Sequence, residues 1–143
     1  MNEPLDIASK LFNDIQQSFP ALIFTKEENP HVDLSVTIPK QEGVLYETWL
    51  GLQNNDELSF GVRSFQLEWF PCTDKTNQDS FVEAVKGFLS GNYRILEHWK
   101  GNKCYKAELQ KPIDHGWKTI GRWGILIWFL VPLKTKLVEI RNM

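Results

Sequence analysis

Val44-Leu45-Tyr46-Glu47-Thr48-Trp49-Leu50-Gly51-Leu52-Gln53-Asn54-Asn55-Asp56-Glu57-Leu58-Ser59-Phe60-Gly61-Val62 sets two largely apolar runs on either side of a pair of asparagines. Asparagine tolerates the left-handed backbone that a tight reversal demands, so residues 44–52 and 57–62 are predicted to pair as an antiparallel hairpin. Downstream, Phe65, Leu67 and Trp69 alternate with Ser64, Gln66 and Glu68 until Pro71 ends the run. Upstream, Val32, Leu34, Val36 and Ile38 alternate with Asp33, Ser35 and Thr37. A period of two gives each strand one buried and one wet face. A shorter apolar run, Ala21 to Thr25, reads as a further strand before the turn at Glu27-Glu28-Asn29-Pro30.

On both sides of this block the period changes to that of a helix. Leu5, Ala8, Leu11, Phe12, Ile15 and Phe19 recur at steps of three and four, which predicts an amphipathic helix over Pro4 to Ser18, ended by Pro20. Phe81, Val82, Val85, Phe88 and Leu89 repeat the pattern, with Ser80 and Glu83 spaced as a capping box and Gly91 placed as a C-cap. Tyr93 to Lys100 and Cys104 to Gln110 then flank Gly101-Asn102 as a second hairpin, closed by Lys111-Pro112. Trp117 to Trp123, Ile125 to Val131 and Thr135 to Ile140 complete the chain as strands.

The fold expected is a single α+β domain spanning residues 1–143: a curved antiparallel sheet of eight or nine strands with two helices packed on one face. A split into two small sheets is the competing architecture. With 143 residues, of which 42% are hydrophobic, the chain can bury a core without metal or disulfide staples.

Charge is unevenly divided. Residues 1–99 carry 7 Lys/Arg against 15 Asp/Glu, a net −8, while residues 100–143 carry 9 against 3, a net +6. Cross-strand pairing absorbs part of this asymmetry; an exposed acidic remainder suits a basic partner and repels nucleic-acid phosphates. Aromatic and basic residues do interleave, as in Trp99-Lys100 and Tyr105-Lys106. Such alternation is ordinary for a strand with one wet face, so nucleic acid is not the expected ligand. No secretory signal is read at the start, and the longest apolar run, Ile125 to Leu133, is too short to span a bilayer as a helix. Two cysteines, Cys72 and Cys104, form no metal-binding spacing and read as buried reduced thiols. A cytoplasmic location follows as an expectation, with no metal and no cofactor.

Chemistry-bearing residues are few. His31, His98 and His115 each have a carboxylate nearby in sequence, yet only His31 and Asp33 share a strand face. Cys104 lies across a hairpin from His98, but a thiolate–imidazole nucleophile also needs an oxyanion site and an orienting group. None of the Gly-x-Ser-x-Gly, His-Glu-x-x-His or phosphate-loop patterns occurs. Six tryptophans are more telling. Trp49, Trp69 and Trp99 read as core packing, while Trp117, Trp123 and Trp128, mixed with Lys118 and Arg122, have the composition of a partner hot spot and equally that of buried core strands.

Leu67-Glu68-Trp69-Phe70-Pro71-Cys72, Gly87-Phe88-Leu89-Ser90-Gly91-Asn92-Tyr93-Arg94-Ile95-Leu96-Glu97-His98 and Lys106-Ala107-Glu108-Leu109-Gln110 resemble segments of a group of small uncharacterised bacterial proteins. The resemblance covers about the middle third of the chain. It implies a stand-alone bacterial domain and carries no activity with it.

The function expected is therefore that of a non-enzymatic cytoplasmic domain that binds another protein, most concretely an immunity-type inhibitor of a basic bacterial toxin. Glu27, Glu28, Asp33, Glu47, Asp56 and Glu57 would steer encounter, and Trp117, Arg122, Trp123 and Trp128 would supply contact area. The alternative is a small-molecule-binding domain or enzyme with a pocket between sheet and helices that uses His98, Cys104 and His115. A homodimer joined through Trp123 to Leu133 is a third possibility.

Overall fold

The computed structural model describes residues 3–124 and 134–142. The chain order is α1 (Glu3–Ser18), β1 (Thr25–Glu27), β2 (Leu34–Ile38), β3 (Thr48–Gln53), β4 (Glu57–Val62), β5 (Phe65–Trp69), α2 (Lys75–Leu89), β6 (Arg94–Lys100), β7 (Lys103–Ile113), β8 (Gly116–Gly124) and β9 (Thr135–Ile140). An α+β fold of helices and antiparallel strands is thus present, but the strands do not form one sheet. They divide into a five-stranded sheet ordered β1-β2-β3-β4-β5 and a four-stranded sheet ordered β8-β7-β6-β9. The reason lies in α2: fifteen helical residues between β5 and β6 carry the chain away from the β5 edge, so β6 starts a new ladder.

The first sheet is a regular meander. Val36, Leu50, Phe60 and Leu67 stand side by side on one face, flanked by the row Leu34, Leu52, Leu58 and Trp69. The β3–β4 reversal uses Asn54 and Asn55 at φ 51° and 73°, the left-handed pair that this turn requires. Both helices lie on the apolar face. Phe88 of α2 packs against Phe60 at 5.9 Å between ring centroids, and Phe81 meets both Trp69 at 5.5 Å and Phe12 of α1 at 5.7 Å. These aromatic contacts sit at the offset and edge geometries that ring quadrupoles favour.

Three local expectations change. Ala21 to Thr25 is mostly a turn, and only Thr25–Glu27 pairs, as a short edge strand. Helix α2 starts five residues before the Ser80–Glu83 pair: Asp74 is its N-cap, accepting from the backbone N–H of Thr76 at 2.8 Å. Ser80 instead accepts a bond from the Trp69 indole at 2.9 Å. The side-chain oxygen of Asp74 satisfies an orphan helix donor better placed than the later pair. Pro112 does not close the second hairpin, since β7 runs through it to Ile113. The strand expected at Ile125 to Val131 lies outside the described residues.

The second sheet is less regular, with register shifts between His98 and Trp99 and between Leu109 and Gln110. It packs against the β5 edge of the first sheet. At Gly121 the approach is so close that a Cβ would fall 2.4 Å from Leu67 Cδ1, so the absent side chain is what lets β8 reach β5. Ile95, Ala107, Leu109 and Ile140 join the same buried cluster as the first sheet and both helices.

Candidate functional site

Because Leu50 and Leu52 point to the core, alternation turns Trp49, Gly51 and Gln53 of β3 to the opposite face. Trp49 is therefore not part of the core, which corrects the expectation drawn from its composition alone. Its indole lies flat along the sheet: a Cβ on Gly51 would sit 2.3 Å from Trp49 Cζ2, and one on Gly61 would sit 3.7 Å from Cε3. The indole Nε1–H donates to Ser35 Oγ at 2.8 Å. Two glycines and one hydroxyl thus fix a half-buried aromatic on the face of the sheet that the helices leave uncovered.

Carboxylates surround this ring. The cross-strand row Glu27, Ser35, Gly51, Ser59 and Glu68 and the row Thr25, Thr37, Trp49, Gly61 and Gln66 make up the outer face. Glu27, Glu47, Thr37, Gly61, Arg63 and Gln66 join Trp49 around a hollow of about 480 Å³. Glu28 and Asp33 are exposed but do not line this hollow, and Asp33 Oδ2 accepts from the Asn55 backbone N–H at 2.9 Å, bracing the hairpin. Asn54 donates to Glu57 Oε2 at 3.0 Å. Burial pushes Glu68 above the ordinary carboxylate value, and the neighbouring Glu57 charge adds to it, as expected of like charges sharing a site. Of the acidic positions expected to steer a partner, Glu27, Glu47 and Glu57 therefore lie on one face with Trp49, while Asp56 sits half-buried in the hairpin turn.

Among the described residues lining the hollow, the one basic group is already engaged. Arg63, in the β4–β5 turn at φ 56°, donates through Nε to Glu97 Oε2 at 3.0 Å and through Nη2 to Oε1 at 3.3 Å. Glu97 is 1% exposed at its side chain and also accepts from the Trp99 indole at 3.0 Å. This fork ties the first sheet to the second, and the bond to Glu97 holds the Arg63 proton more firmly than usual.

The outer face of the second sheet holds a different network. Glu108 meets His98 Nε2 at 2.7 Å through Oε1 and accepts from Thr119 Oγ1 at 3.0 Å through Oε2. Gln110 donates to Thr119 at 3.1 Å and accepts from Arg94 Nε at 2.8 Å. Arg94 reaches on to Glu139 at 2.9 Å and stacks over Trp117 with its Cζ 4.3 Å from the ring centroid. Arg141 adds a second cation at 5.2 Å from the same ring. Burial alone would raise Glu108, but the hydrogen bonds from His98 and Thr119 and the Lys106 charge outweigh it and hold the carboxyl below its ordinary value.

The remaining expected residues scatter. Trp117 and Arg122 share this outer face, with Arg122 Nε 3.6 Å from Glu108, whereas Trp123 points the other way and packs against the core. Trp128 lies outside the described residues. Cys104 is buried on the inner face, donating to the Lys106 carbonyl at 3.5 Å, while the His98 imidazole is on the outer one. His115 is in the exposed β7–β8 turn, beyond Ile113 and thus roughly 23 Å along β7 from the level of His98 at ~3.3 Å per residue. The three do not converge. Burial pushes the thiols of both Cys72 and Cys104 upward, away from thiolate reactivity. Among the described residues no side-chain bond joins His31 to Asp33: Asp33 Oδ2 accepts from the Asn55 backbone N–H at 2.9 Å, and the His31 backbone N–H donates to Asn29 Oδ1 at 2.9 Å.

Among the described residues no cluster of three or more His, Cys, Asp or Glu side chains is arranged to hold a metal ion, and no helix is long and apolar enough to cross a membrane. What the fold and its surface define is an α+β protein with two antiparallel sheets and an open acidic sheet face centred on a fixed tryptophan. Neither the family models, nor the curated proteins, nor the solved structures contain a match to the chain.

Proposed function

We propose that this chain is a non-enzymatic cytoplasmic binding module that receives a basic partner protein on the outer face of its first sheet. The observation that carries the reading is the uncovered face itself: Trp49 is held flat there, with Glu27, Glu47, Glu57 and Glu68 on the same side. Carboxylates around an aromatic anchor combine electrostatic steering with a rigid, low-entropy contact. An immunity-type inhibitor of a basic bacterial toxin is the most concrete form of this activity. The pocket reading draws less support, because His98, Cys104 and His115 occupy two faces and a distant turn.

Capture from nuclease-treated lysate of the parent cell tests the proposal. The wild-type chain is expected to retain one basic protein at stoichiometric level, and the Glu27→Lys/Glu47→Lys/Glu57→Lys variant to lose it. Retention unchanged by the three reversals, or no protein retained in repeated captures, would refute it.

A further inference from the structure

The hollow over Trp49 is more than a charged patch, because its floor is an oriented aromatic plane. The indole rests on Gly51 and Gly61 and is locked in azimuth by its 2.8 Å bond to Ser35. One ring face is thus committed to the sheet, which leaves the other to the hollow of about 480 Å³. Glu27 and Glu47 stand at its border, both exposed and without an ion pair to any described residue. Arg63, which also lines the hollow, has its charge offset by the buried Glu97, so the local field stays negative.

Resting on the partner-binding reading above, we infer that this hollow seats one arginine side chain of the partner protein, its guanidinium stacked on Trp49 and hydrogen-bonded at its edge to Glu27 and Glu47. A planar, weakly hydrated cation satisfies both features of the site at once: its face matches the ring and its N–H groups match the carboxylates. A lysine ammonium is a strongly hydrated point charge that cannot lie flat on the ring, so it uses the carboxylates and forgoes the stacking. An apolar side chain would cover the indole and leave both carboxylates desolvated and unpaired, which is costly. The glycines are part of the recognition, since any side chain at 51 would lift the ring out of position.

The test uses the full chain and blocked Gly-Gly-X-Gly-Gly peptides with X as arginine, lysine or citrulline, followed through the Trp49 indole N–H resonance. Citrulline keeps the shape of arginine and removes its charge. The arginine peptide is expected to shift that resonance saturably, with the citrulline peptide about tenfold weaker and the lysine peptide between them. Glu27→Gln and Glu47→Gln, both on exposed side chains, are each expected to weaken the arginine peptide several-fold and leave the rest of the spectrum in place. An equal response to citrulline or lysine, or shifts by the arginine peptide that bypass Trp49, would overturn the assignment. Failure here is separable from failure of the binding reading: loss of lysate capture on charge reversal with no arginine preference at Trp49 removes only this site, whereas capture indifferent to charge reversal removes the broader reading.

Discussion

The two sheets solve the same problem by different means. In the first, a strict period of two sends the aliphatic and phenylalanine side chains of β2 to β5 to the helices, with Thr48 among them, and leaves Trp49 with small and polar residues on the outside. Its five strands follow one another in sequence order. In the second, two register shifts re-aim side chains, β9 returns to pair with β6 instead of β8, and polar groups do much of the joining. Glu97 sits at a core position, and Glu108 gathers His98, Thr119, Lys106 and Arg122 on the other side. Regular alternation gives a platform with an exposed face free for recognition. Bulged strands give a frame whose polar side chains largely satisfy one another.

Breaking the apolar layer of the first sheet should have the largest effect. Phe60 is fully buried between the sheet and α2, and Phe60→Ala is expected to cost about 4 kcal/mol by lost transfer energy and a residual cavity. Denaturant unfolding would measure this. A loss below about 1 kcal/mol would mean that the helices do not depend on this layer.

The link between the sheets comes next. Arg63→Ala strands the Glu97 carboxylate in the interior, with an expected cost of about 2–3 kcal/mol, tempered by water that reaches the half-exposed guanidinium site. Arg63→Ala/Glu97→Gln should recover about half of that, because the neutral amide keeps an acceptor for Trp99 while removing the buried charge. If the double variant is no more stable than the single one, the ion pair is not what joins the sheets.

The smallest effect sharpens the contrast through pH. Glu108 is held below its ordinary value, so its contribution is present above the usual carboxylate range and is lost as pH falls through its folded value. Glu68 is raised, so its contribution runs the other way and is lost as pH rises through its folded value. Near neutral pH, Glu108→Gln is therefore expected to destabilise and Glu68→Gln to stabilise, each by no more than about 1 kcal/mol at these partly solvated sites. Both differences should shrink in acid. Chemical unfolding at neutral and acid pH would check the signs, and equal signs for the two variants would contradict the contrast.

Local rules made much of the first sheet legible in the sequence. The Asn54–Asn55 reversal, the alternation over Val32–Ile38 and Phe65–Trp69 and the helical period over residues 4–18 each depend on near neighbours, so a linear reading captures them. The same alternation also places Trp49 opposite Leu50 and Leu52; assigning it to the core by residue type overlooked that signal. Its acidic neighbours could be named from charge alone, but not their gathering around one ring. That gathering depends on the register of β1 against β2 and on the two glycines under the indole.

The second sheet was far less accessible, for a physical reason. A bulge shifts register by one residue and so exchanges the faces on which later side chains lie, which is how Cys104 turns inward although His98 and Glu108, in regular register before the shift, share the outer face. Arg63 and Glu97 are 34 positions apart, and nothing in their surroundings along the chain links them. By itself the sequence determined the element types, the first hairpins, the helical faces and the charge asymmetry, because these follow from residue-scale geometry and composition. The break into two sheets, the inter-sheet ion pair and the open face over Trp49 were decided only in three dimensions, where α2 redirects the chain and distant strands compete for the same neighbours.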